Sequence, residues 1–350
     1  MSNNTRKKIR ITKRKKRSKK RLLFMLAIAI IGVFIVVNYG LNLLQRADDV
    51  VTEAYESDGR DKSELRDKIV DPKFDNVSIL IMGVDSSDKR ENAASARTDT
   101  LMLATLNKDD KSVKLISIPR DSYVYIPEVG YEDKINHAHA FGGTKAAIET
   151  VENLFNIPVD YYLKVNFEAF IDVVDALDGI TVEVPYDFSE QDSKDRANAI
   201  QLYAGLQDLD GEEALALART RKLDNDIERG KRQQEIIKAI VDKAISLSSI
   251  FKYDDMIEAM RGNLATNMSP SEMKSFVSYG TSGTNLDFET MTLEGENYQP
   301  NKIYYWKLDE IALNETKSKL QQHLEITPSV QTYTESNADS QYENASPSIE

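Results

Sequence analysis

Apolar residues form one long uninterrupted run near the amino terminus. Residues 22–37 read LLFMLAIAIIGVFIVV, and the apolar stretch continues to residue 44. A helix over 22–44 would be about 34 Å long at ~1.5 Å per residue, which is enough to cross a hydrocarbon core of ~30 Å. A cleaved signal peptide has a shorter core and a small-x-small cleavage site, for which NYGL at 38–41 is a poor match. We therefore predict a single, uncleaved transmembrane signal-anchor.

Shorter apolar runs with strand or helix periodicity follow from Phe74 onward. The strand-like runs are 77–84, 100–107, 113–118, 160–165 and 180–185, and the helical segments are 144–155, 167–177, 211–220 and about 228–248. The sequence NKDDK at 107–111 predicts a hairpin turn between the second and third strands. Strands interleaved with helices are typical of α/β domains, so we expect helices on both sides of a mixed sheet.

The rest of the chain divides by composition. Residues 45–73 are charged with alternating sign and are predicted to be an extracellular stalk, followed by one folded domain over 74–326. The aromatic sequence IYYW at 303–306 is a further strand candidate within that domain. Residues 327–350 are polar, acidic and rich in Ser and Asn, which predicts a disordered tail.

Charge is unevenly distributed, and this predicts the topology and excludes some functions. Residues 1–21 hold twelve of the 45 Lys and Arg residues and no acid, so the remaining chain carries 33 basic and 57 acidic residues. The positive-inside rule places this basic tail in the cytoplasm and everything after the anchor outside the cell membrane. An acidic body lacks the basic surface that nucleic acids need, and attraction to anionic lipid explains the basic tail better than DNA contact. The absence of Cys excludes disulfides and thiolate metal sites.

Two aspartates flank the first two predicted strands. Asp85 directly follows the first strand, and Asp99 directly precedes the second. If these strands are antiparallel neighbours, both carboxylates lie at the same end of the sheet. Mg²⁺ could bind there with one or two carboxylates and substrate oxygens. The alternative is a pair of solvated loop aspartates.

Arginines are concentrated in two places. Arg120, in IPRDSY, leaves the end of the third strand and is a candidate anion ligand, with pairing to Asp121 or another carboxylate as the alternative. A second group, whose last three members share one helix face, comprises Arg219, Arg221, Arg229, Arg232 and Gln233. A solvated charge run is the alternative there, although Arg rather than Lys favours oxyanion recognition. Two acids, several Arg and no obvious nucleophile suit metal-assisted phosphoryl transfer on a phosphate compound, for example a pyrophosphate.

Several sequence blocks between about residue 77 and residue 240 resemble the LytR-CpsA-Psr family of bacterial cell-envelope proteins. In chain order they are ILIMGVDSSD, ARTDTLMLATLN, ISIPRDSYV, KINHAHAFGG, LDGITVEVP, ARTR and RGKRQQ. Within that family the chain looks most similar to the Gram-positive teichoic acid transferases. The resemblance implies a three-layer α/β/α sandwich with an apolar pocket for a polyisoprenyl phosphate lipid, preceded by a single transmembrane helix.

The resemblance also implies a reaction and its residues. Such an enzyme moves an anionic glycopolymer, usually wall teichoic acid, from undecaprenyl pyrophosphate to the C6 hydroxyl of N-acetylmuramic acid in peptidoglycan. Mg²⁺ or Mn²⁺ would be held by Asp85 and Asp99, which with Arg120 would carry catalysis. For the proton of the acceptor hydroxyl we consider two routes: transfer to Asp99 or Asp85 as the base, or substrate-assisted loss at the metal. The pyrophosphate would be bound by Arg97, Arg120, Arg219, Arg221, Arg229, Arg232 and Gln233.

Three other functions would use the same features. A membrane-anchored pyrophosphatase would hydrolyse the carrier pyrophosphate without transferring the polymer. A scaffold would bind lipid or polymer in the pocket without catalysis, and would not need a metal. A regulator would have to contact DNA through residues 1–21, which are too few to fold into a helix-turn-helix domain.

Overall fold

The computed structural model describes residues 49, 52–84, 98–222, 225–246, 262–281 and 286–326. The predicted basic tail (1–21), transmembrane anchor (22–44) and acidic tail (327–350) lie outside the described residues. Within the described ranges, no helix combines the length and the apolar composition needed to span a bilayer. The boundaries of the folded domain stay a prediction.

Strands and helices are interspersed along the described part of the chain. The strands are β1 (Val77–Val84), β2 (Thr98–Asn107), β3 (Ser112–Ser117), β4 (Tyr123–Ile126), β5 (Tyr131–Lys134), β6 (Tyr161–Val165), β7 (Ile180–Val184), β8 (Phe188–Glu190), β9 (Ile200–Leu202), β10 (Gly205–Leu209), β11 (Leu264–Thr266), β12 (Asp287–Thr292), β13 (Gly295–Tyr298) and β14 (Tyr305–Leu308). The helices are α1 (His137–Phe155), α2 (Phe167–Ala176), α3 (Gly211–Arg219), α4 (Asp226–Ala244), α5 (Pro270–Thr281) and α6 (Glu310–His323).

A mixed six-stranded sheet forms the centre of the fold. Its strand order is β11-β6-β1-β2-β3-β12. Strand β1 is antiparallel to β2 and parallel to β6, and β3 is antiparallel to β2 and parallel to β12. This confirms both the predicted mixed sheet and the predicted hairpin at 107–111.

Helices cover both faces of this sheet. Leu80 and Met82 of β1 belong to a buried cluster that includes α1 and α6. Ile79 and Ile81 pack against a second cluster, which includes residues of α5 and Ile237 of α4. Since successive strand residues point to opposite faces, the two clusters lie on opposite sides of the sheet. The predicted layering of helices on both sides is therefore confirmed for the described residues.

A third apolar cluster positions helices α3 and α4 beside the sheet. It joins α2, the strand pair β7–β10, the strand pair β8–β9, and the inner faces of α3 and α4. Helix α3 begins with a capping box, in which Asp210 accepts from Glu213 N at 2.9 Å and Glu213 accepts from Asp210 N at 3.1 Å. Asn225 caps helix α4, since its side chain accepts from Ile227 N and Glu228 N. The caps fix where the two helices begin, and the shared apolar cluster packs them together.

The predicted long elements are confirmed, and the differences concern short ones. Helix α1 starts earlier than predicted, but Gly142 and Gly143 depart from helical geometry, and the regular part follows them. The sequence pattern does not predict the small hairpins β4–β5, β8–β9 and β13–β14, because strands this short carry too little alternation. The strand predicted at 303–306 lies two residues later, at Tyr305–Leu308.

Part of the segment predicted to be a stalk packs against the domain. Tyr55 forms a β-bridge with Thr266 of β11. Arg66 Nη2 lies 2.6 Å from Asp160 Oδ2, just before β6, and both side chains are nearly buried, at 11% and 3% exposed. Arg60 Nη1 makes a further ion pair of 3.1 Å with a carboxylate near the end of α1. Residues 55–66 are thus fixed on the body of the domain.

Candidate active site

The ends of three central strands bring predicted site residues to one edge of the sheet. Val84, the last residue of β1, pairs with Thr98, the first residue of β2. The antiparallel arrangement expected for the strands next to Asp85 and Asp99 is therefore confirmed. Asp85 and Arg97 themselves lie outside the described residues. Arg120 follows the end of β3 and reaches the same edge.

Asp99 and Arg120 form an ion pair at this edge. Arg120 Nη1 donates a hydrogen bond of 2.7 Å to Asp99 Oδ1. The side chains are 43% and 23% exposed, so the pair borders solvent. Arg120 Nε is also 3.8 Å from Asp121 Oδ2, the alternative partner considered from the sequence. However, Asp121 Oδ1 lies 2.8 Å from Lys134 Nζ, so Lys134 already balances that carboxylate.

Asp226, at the start of α4, lies among three guanidinium groups. Its Oδ1 is 2.7 Å from Arg229 Nη2, 3.9 Å from Arg120 Nε and 3.9 Å from Arg221 Nη1. Both carboxylate oxygens are buried, and within the described part of the chain neither accepts a hydrogen bond of standard geometry. The carboxylate reduces the mutual repulsion of these cations. We call Asp99, Arg120, Arg221, Asp226 and Arg229 the arginine cluster.

Arg229 is the most buried guanidinium of the arginine cluster, with a side chain 8% exposed. Its Nη2 donates to the backbone carbonyl of Asp99 at 3.3 Å. Burial lowers the pKa of the Arg229 guanidinium, Asp226 opposes this, and the neighbouring Arg120 and Arg221 lower the pKa further. A guanidinium remains protonated in proteins, so the lowered pKa reflects the cost of holding this cation buried and beside other cations, which an anionic ligand would relieve.

Two donor atoms of the arginine cluster have no hydrogen-bond acceptor among the described residues. The Nε atoms of Arg120 and Arg229 are buried and make no hydrogen bond there. A buried unpaired donor costs roughly 1–3 kcal/mol, and more when the group is charged. Such atoms are therefore expected where a ligand supplies the missing acceptors. Phosphate oxygens match the planar fork of a guanidinium.

Arg219 and Arg221 lie at the rim of the arginine cluster. The guanidinium carbon of Arg219 is 4.9 Å from the ring centre of Phe167, at the start of α2. Stacking on an aromatic ring holds the guanidinium while its edge stays free to donate. The Arg221 side chain is 47% exposed. The predicted contact of both residues with the pyrophosphate stays a prediction.

Arg232 and Gln233 face the end of α3 rather than the ion pairs of the arginine cluster. Arg232 Nε donates to Leu217 O at 3.2 Å, and its Nη2 donates to Thr220 O. Gln233 Nε2 donates to Ala218 O at 3.0 Å. These bonds satisfy carbonyls that a helix end leaves free. The contacts indicate a positioning role, and the predicted contact with pyrophosphate stays a prediction.

The structure thus brings together four of the predicted residues and adds one that the sequence does not single out. Asp99, Arg120, Arg221 and Arg229 lie around Asp226. The available signal for Asp226 is its i, i+3 spacing to Arg229, directly after the helix-capping Asn225. That spacing alone is common on solvated helices, and the contact with Arg120 depends on the tertiary fold.

Helices α1 and α2 carry many apolar residues and are candidate walls for a lipid pocket, but they differ in how far those residues are buried. The apolar side chains of α1 are core residues, since Ile148, Val151 and Phe155 are each 0% exposed. On α2, Phe170 is only partly buried, and Phe167 carries Arg219 at its ring face. Helix α2 is therefore the better candidate for contact with an apolar ligand beside the arginine cluster.

A divalent cation needs oxygen ligands, and the described residues supply few of them. No group of three or more His, Asp or Glu side chains that could hold a metal occurs in the described ranges. Asp99 is a partly exposed carboxylate at the edge of the arginine cluster. It fits a Mg²⁺ position in which further ligands come from outside the described residues and from a phosphate substrate.

Comparison with known proteins agrees with this architecture. The LytR_cpsA_psr family model matches residues 41–322. The protein named polyisoprenyl-teichoic acid–peptidoglycan teichoic acid transferase TagT of Bacillus subtilis (strain 168) is 40% identical over 321 residues, which cover 90% of this chain and 99% of that protein.

Solved structures give the same result for the fold. The structure described as TagT bound to LIIa-WTA has a TM-score of 0.66 and 41% identity, covering 77% of this chain and 98% of that one. The structure of YwtF (TagT) with bound octaprenyl pyrophosphate lipid has a TM-score of 0.62 and 38% identity, covering 76% and 98%. The chain described here belongs to the LytR_cpsA_psr family.

Proposed function

We propose that this protein is a membrane-anchored phosphotransferase that joins an anionic glycopolymer, wall teichoic acid, to peptidoglycan. The observation that carries the proposal is the pair of buried, unpaired Nε donors of Arg120 and Arg229. They lie in a group of three guanidiniums on a body that is otherwise acidic. The names of relatives as teichoic acid transferases, and the octaprenyl pyrophosphate in a similar structure, support the same substrate class.

The proposed reaction exchanges one phosphorus–oxygen bond for another. The donor is the glycopolymer on undecaprenyl pyrophosphate, and the acceptor is the C6 hydroxyl of N-acetylmuramic acid. The acceptor oxygen bonds to the phosphorus that carries the polymer, and the bond from that phosphorus to the bridging oxygen breaks. Undecaprenyl phosphate leaves with the bonding electrons, and the hydroxyl proton passes to a carboxylate, Asp99 or Asp85. The product is a phosphodiester, and no oxidation or reduction occurs.

The residues of the arginine cluster would act mainly by position and charge. Arg120 and Arg229 would donate to the non-bridging oxygens, where negative charge develops in the transition state. Arg221 and Arg219 would contact the head group at the rim. Asp226 would hold the cations at their spacing before the donor binds. Arg232 and Gln233 would keep the end of α3 in place behind them.

A divalent cation is part of the proposal. Mg²⁺ or Mn²⁺ would be held by Asp85 and Asp99 and, when bound, would neutralise charge on the pyrophosphate. The support is the register of β1 and β2, which ends with Val84 opposite Thr98, next to both aspartates in the chain.

The proposed location follows the predicted anchor. Residues 22–44 would span the cell membrane once, with residues 1–21 in the cytoplasm and the catalytic domain outside, as in Gram-positive bacteria. The carrier lipid would then lie in the membrane that holds the enzyme, with its chain against α2. Peptidoglycan would meet the arginine cluster from the outer side.

A transfer assay with the full-length protein in vesicles tests the proposal. The substrates are a saccharide on polyprenyl pyrophosphate, peptidoglycan oligomers and Mg²⁺, and mass spectrometry detects saccharide phosphate joined to muramic acid. We expect Arg120→Ala to lower the rate by about a hundredfold or more, because it removes a charge at the reacting phosphate. Lys231→Ala is the matched control, since it removes a 55% exposed cation from the same helix as Arg229.

Other outcomes point to other functions. Release of polyprenyl phosphate without joined product would replace the transferase by a pyrophosphatase. Lipid binding that needs no Mg²⁺ and gives no turnover would replace it by a scaffold. Equal rates for Arg120→Ala and Lys231→Ala would contradict the assignment of the arginine cluster.

A further inference from the structure

Four tyrosine side chains lie together next to the arginine cluster, on two small hairpins. Hairpin β4–β5 contributes Tyr123, and hairpin β13–β14 with its turn contributes Tyr298, Tyr304 and Tyr305. The ring centres of Tyr123 and Tyr305 are 4.8 Å apart, and those of Tyr123 and Tyr298 are 5.5 Å apart. We call this group the aromatic patch.

The aromatic patch is joined directly to the segment that carries Arg120. Trp306 N donates to Asp121 O at 2.8 Å, and Trp306 forms a β-bridge with Ser122. Burial raises the pKa of Tyr304, and the negative charges of Asp121 and Asp226 act in the same direction. The Tyr304 ring therefore lies within the field of the arginine cluster. A ligand that covers the patch could also reach the site of phosphoryl transfer.

Polar groups surround the rings of the aromatic patch. Lys134 Nζ lies 5.7 Å from the ring centre of Tyr305, and Lys307 Nζ lies 5.9 Å from that of Tyr298. The hydroxyl of Tyr305 donates to Asp133 Oδ1 at 3.4 Å. Tyr298 is 36% exposed, so ring surface is available to solvent. Ring faces with charged and hydroxyl groups at their edges suit a ligand that has apolar faces and hydroxyl edges.

A pyranose ring has this combination, because its axial hydrogens form an apolar face and its hydroxyls lie at the edge. A protein partner fits less well, since hydrophobic interface centres are depleted of charged residues. An anionic polymer also fits less well, because Asp121 and Asp133 lie beside the lysines on this side, whereas the buried guanidinium donors without an acceptor lie in the arginine cluster. The patch therefore suits the uncharged sugars of an acceptor more than the phosphates of a donor.

We propose that the aromatic patch is a subsite for the uncharged pyranose rings of the acceptor glycan, which holds its hydroxyl next to Arg120. The sugars stack on Tyr298 and Tyr305, and the lysines and carboxylates at the edge bind their hydroxyl and amide groups. The identification of this glycan as the acceptor rests on the proposed function. The presence of a glycan subsite does not.

The full-length protein in detergent is titrated with an N-acetylglucosamine tetrasaccharide in a calorimeter. We expect saturable binding, and at least a tenfold weaker Kd for Tyr298→Ala. Tyr203→Ala is the matched control, because it removes a tyrosine that is 60% exposed and belongs to neither hairpin. It should leave the Kd unchanged.

Binding and transfer then separate the two proposals. If Tyr298→Ala raises KM for the acceptor but not for the lipid-linked donor, the patch is the acceptor subsite. If the tetrasaccharide binds but neither the wild-type protein nor its variants catalyse transfer, the glycan subsite is supported and the proposed function is wrong. If the tetrasaccharide does not bind, or Tyr298→Ala and Tyr203→Ala behave alike, the subsite is overturned. If poly(glycerol phosphate) displaces the tetrasaccharide at lower concentration, the patch binds the donor polymer and the proposal is wrong.

Discussion

Arg120 and Asp226 approach to 3.9 Å and join the end of β3 to the start of α4. The two residues belong to different layers of the fold, one leaving the sheet and the other beginning a helix packed on it. Their approach makes a site from residues that are far apart in the chain. The carboxylate of Asp226 therefore pairs with the guanidinium groups until an anionic ligand binds.

Replacement of Asp226 by Asn should affect stability and anion binding in opposite directions. The free energy of unfolding should fall by about 1–3 kcal/mol, because three guanidiniums lose the carboxylate between them. Inorganic pyrophosphate should bind more tightly, because it no longer competes with that carboxylate. Urea denaturation and calorimetric titration measure the two quantities. Asp172→Asn, on the exposed side of α2, is the control and should change neither. Weaker pyrophosphate binding by Asp226→Asn would show that Asp226 helps to bind the anion.

Arg232 and Gln233 should prove to be positioning residues. Arg232→Met removes the donors to two carbonyls at the end of α3 and should lower the free energy of unfolding by about 3 kcal/mol. Gln233→Ala removes one neutral hydrogen bond and should cost about 1 kcal/mol. In the transfer assay both variants should lower kcat through the displaced α3 end while the KM for a pyrophosphate substrate changes little. A large rise in that KM without loss of stability would instead support direct contact with pyrophosphate.

Gly230 sets how closely α4 approaches the end of β3. A Cβ atom built on Gly230 would overlap the Ser117 side chain. Gly230→Ala should therefore destabilise the protein by about 1–3 kcal/mol, although Ala is the better helix former by ~1 kcal/mol. Ser117→Gly removes the overlapping side chain. Gly230→Ala should therefore destabilise the Ser117→Gly variant less than it destabilises the wild-type protein. Thermal unfolding of the four proteins gives the coupling energy, and simple additivity would refute this packing.

His323 should make stability depend on pH on the acidic side. Its Nδ1 lies 2.7 Å from Thr105 Oγ1 and its Nε2 lies 2.8 Å from Ser112 Oγ, so the ring joins α6 to β2 and β3. Burial lowers the pKa of His323 to about 4; Lys114 lowers it further, and Asp110 and Glu289 oppose the shift.

An unfolded His has a pKa of about 6.5, so between about pH 4 and 6.5 the unfolded state binds more protons than the native state. The contribution of the neutral ring is complete above about pH 6.5 and is lost as the pH falls towards 4, by roughly 3 kcal/mol. Urea denaturation at a series of pH values measures this slope. His323→Gln should be less stable at pH 7 and should have a shallower slope, and an unchanged slope would contradict the assignment.

The central part of the fold is predictable because its signals are local. Strand β1 is a continuous apolar run, and the turn between β2 and β3 is marked by polar residues in sequence. The same is not true of Arg232 and Gln233, since helical spacing puts them on the face of Arg229 but does not reveal that α3 covers their ends. The aromatic patch is even harder to predict from the sequence, because Tyr123 and Tyr298 come into contact only when two short hairpins pack together beside the segment after β3.

The packing of residues 55–66 on the domain also determines the distance between this segment and the arginine cluster. If residues 55–66 were flexible, the arginine cluster could lie at a range of distances from whatever holds the amino-terminal end of the chain. Instead, an ion pair holds Arg66 at the start of β6, whereas the arginine cluster lies at the other end of the sheet, beyond the end of β1 and the start of β2. The separation is of the order of one strand, roughly 26 Å for eight residues at ~3.3 Å each. The proposed enzyme would therefore act at a fixed distance from residues 55–66, and would select substrates by where they are presented as well as by their chemistry.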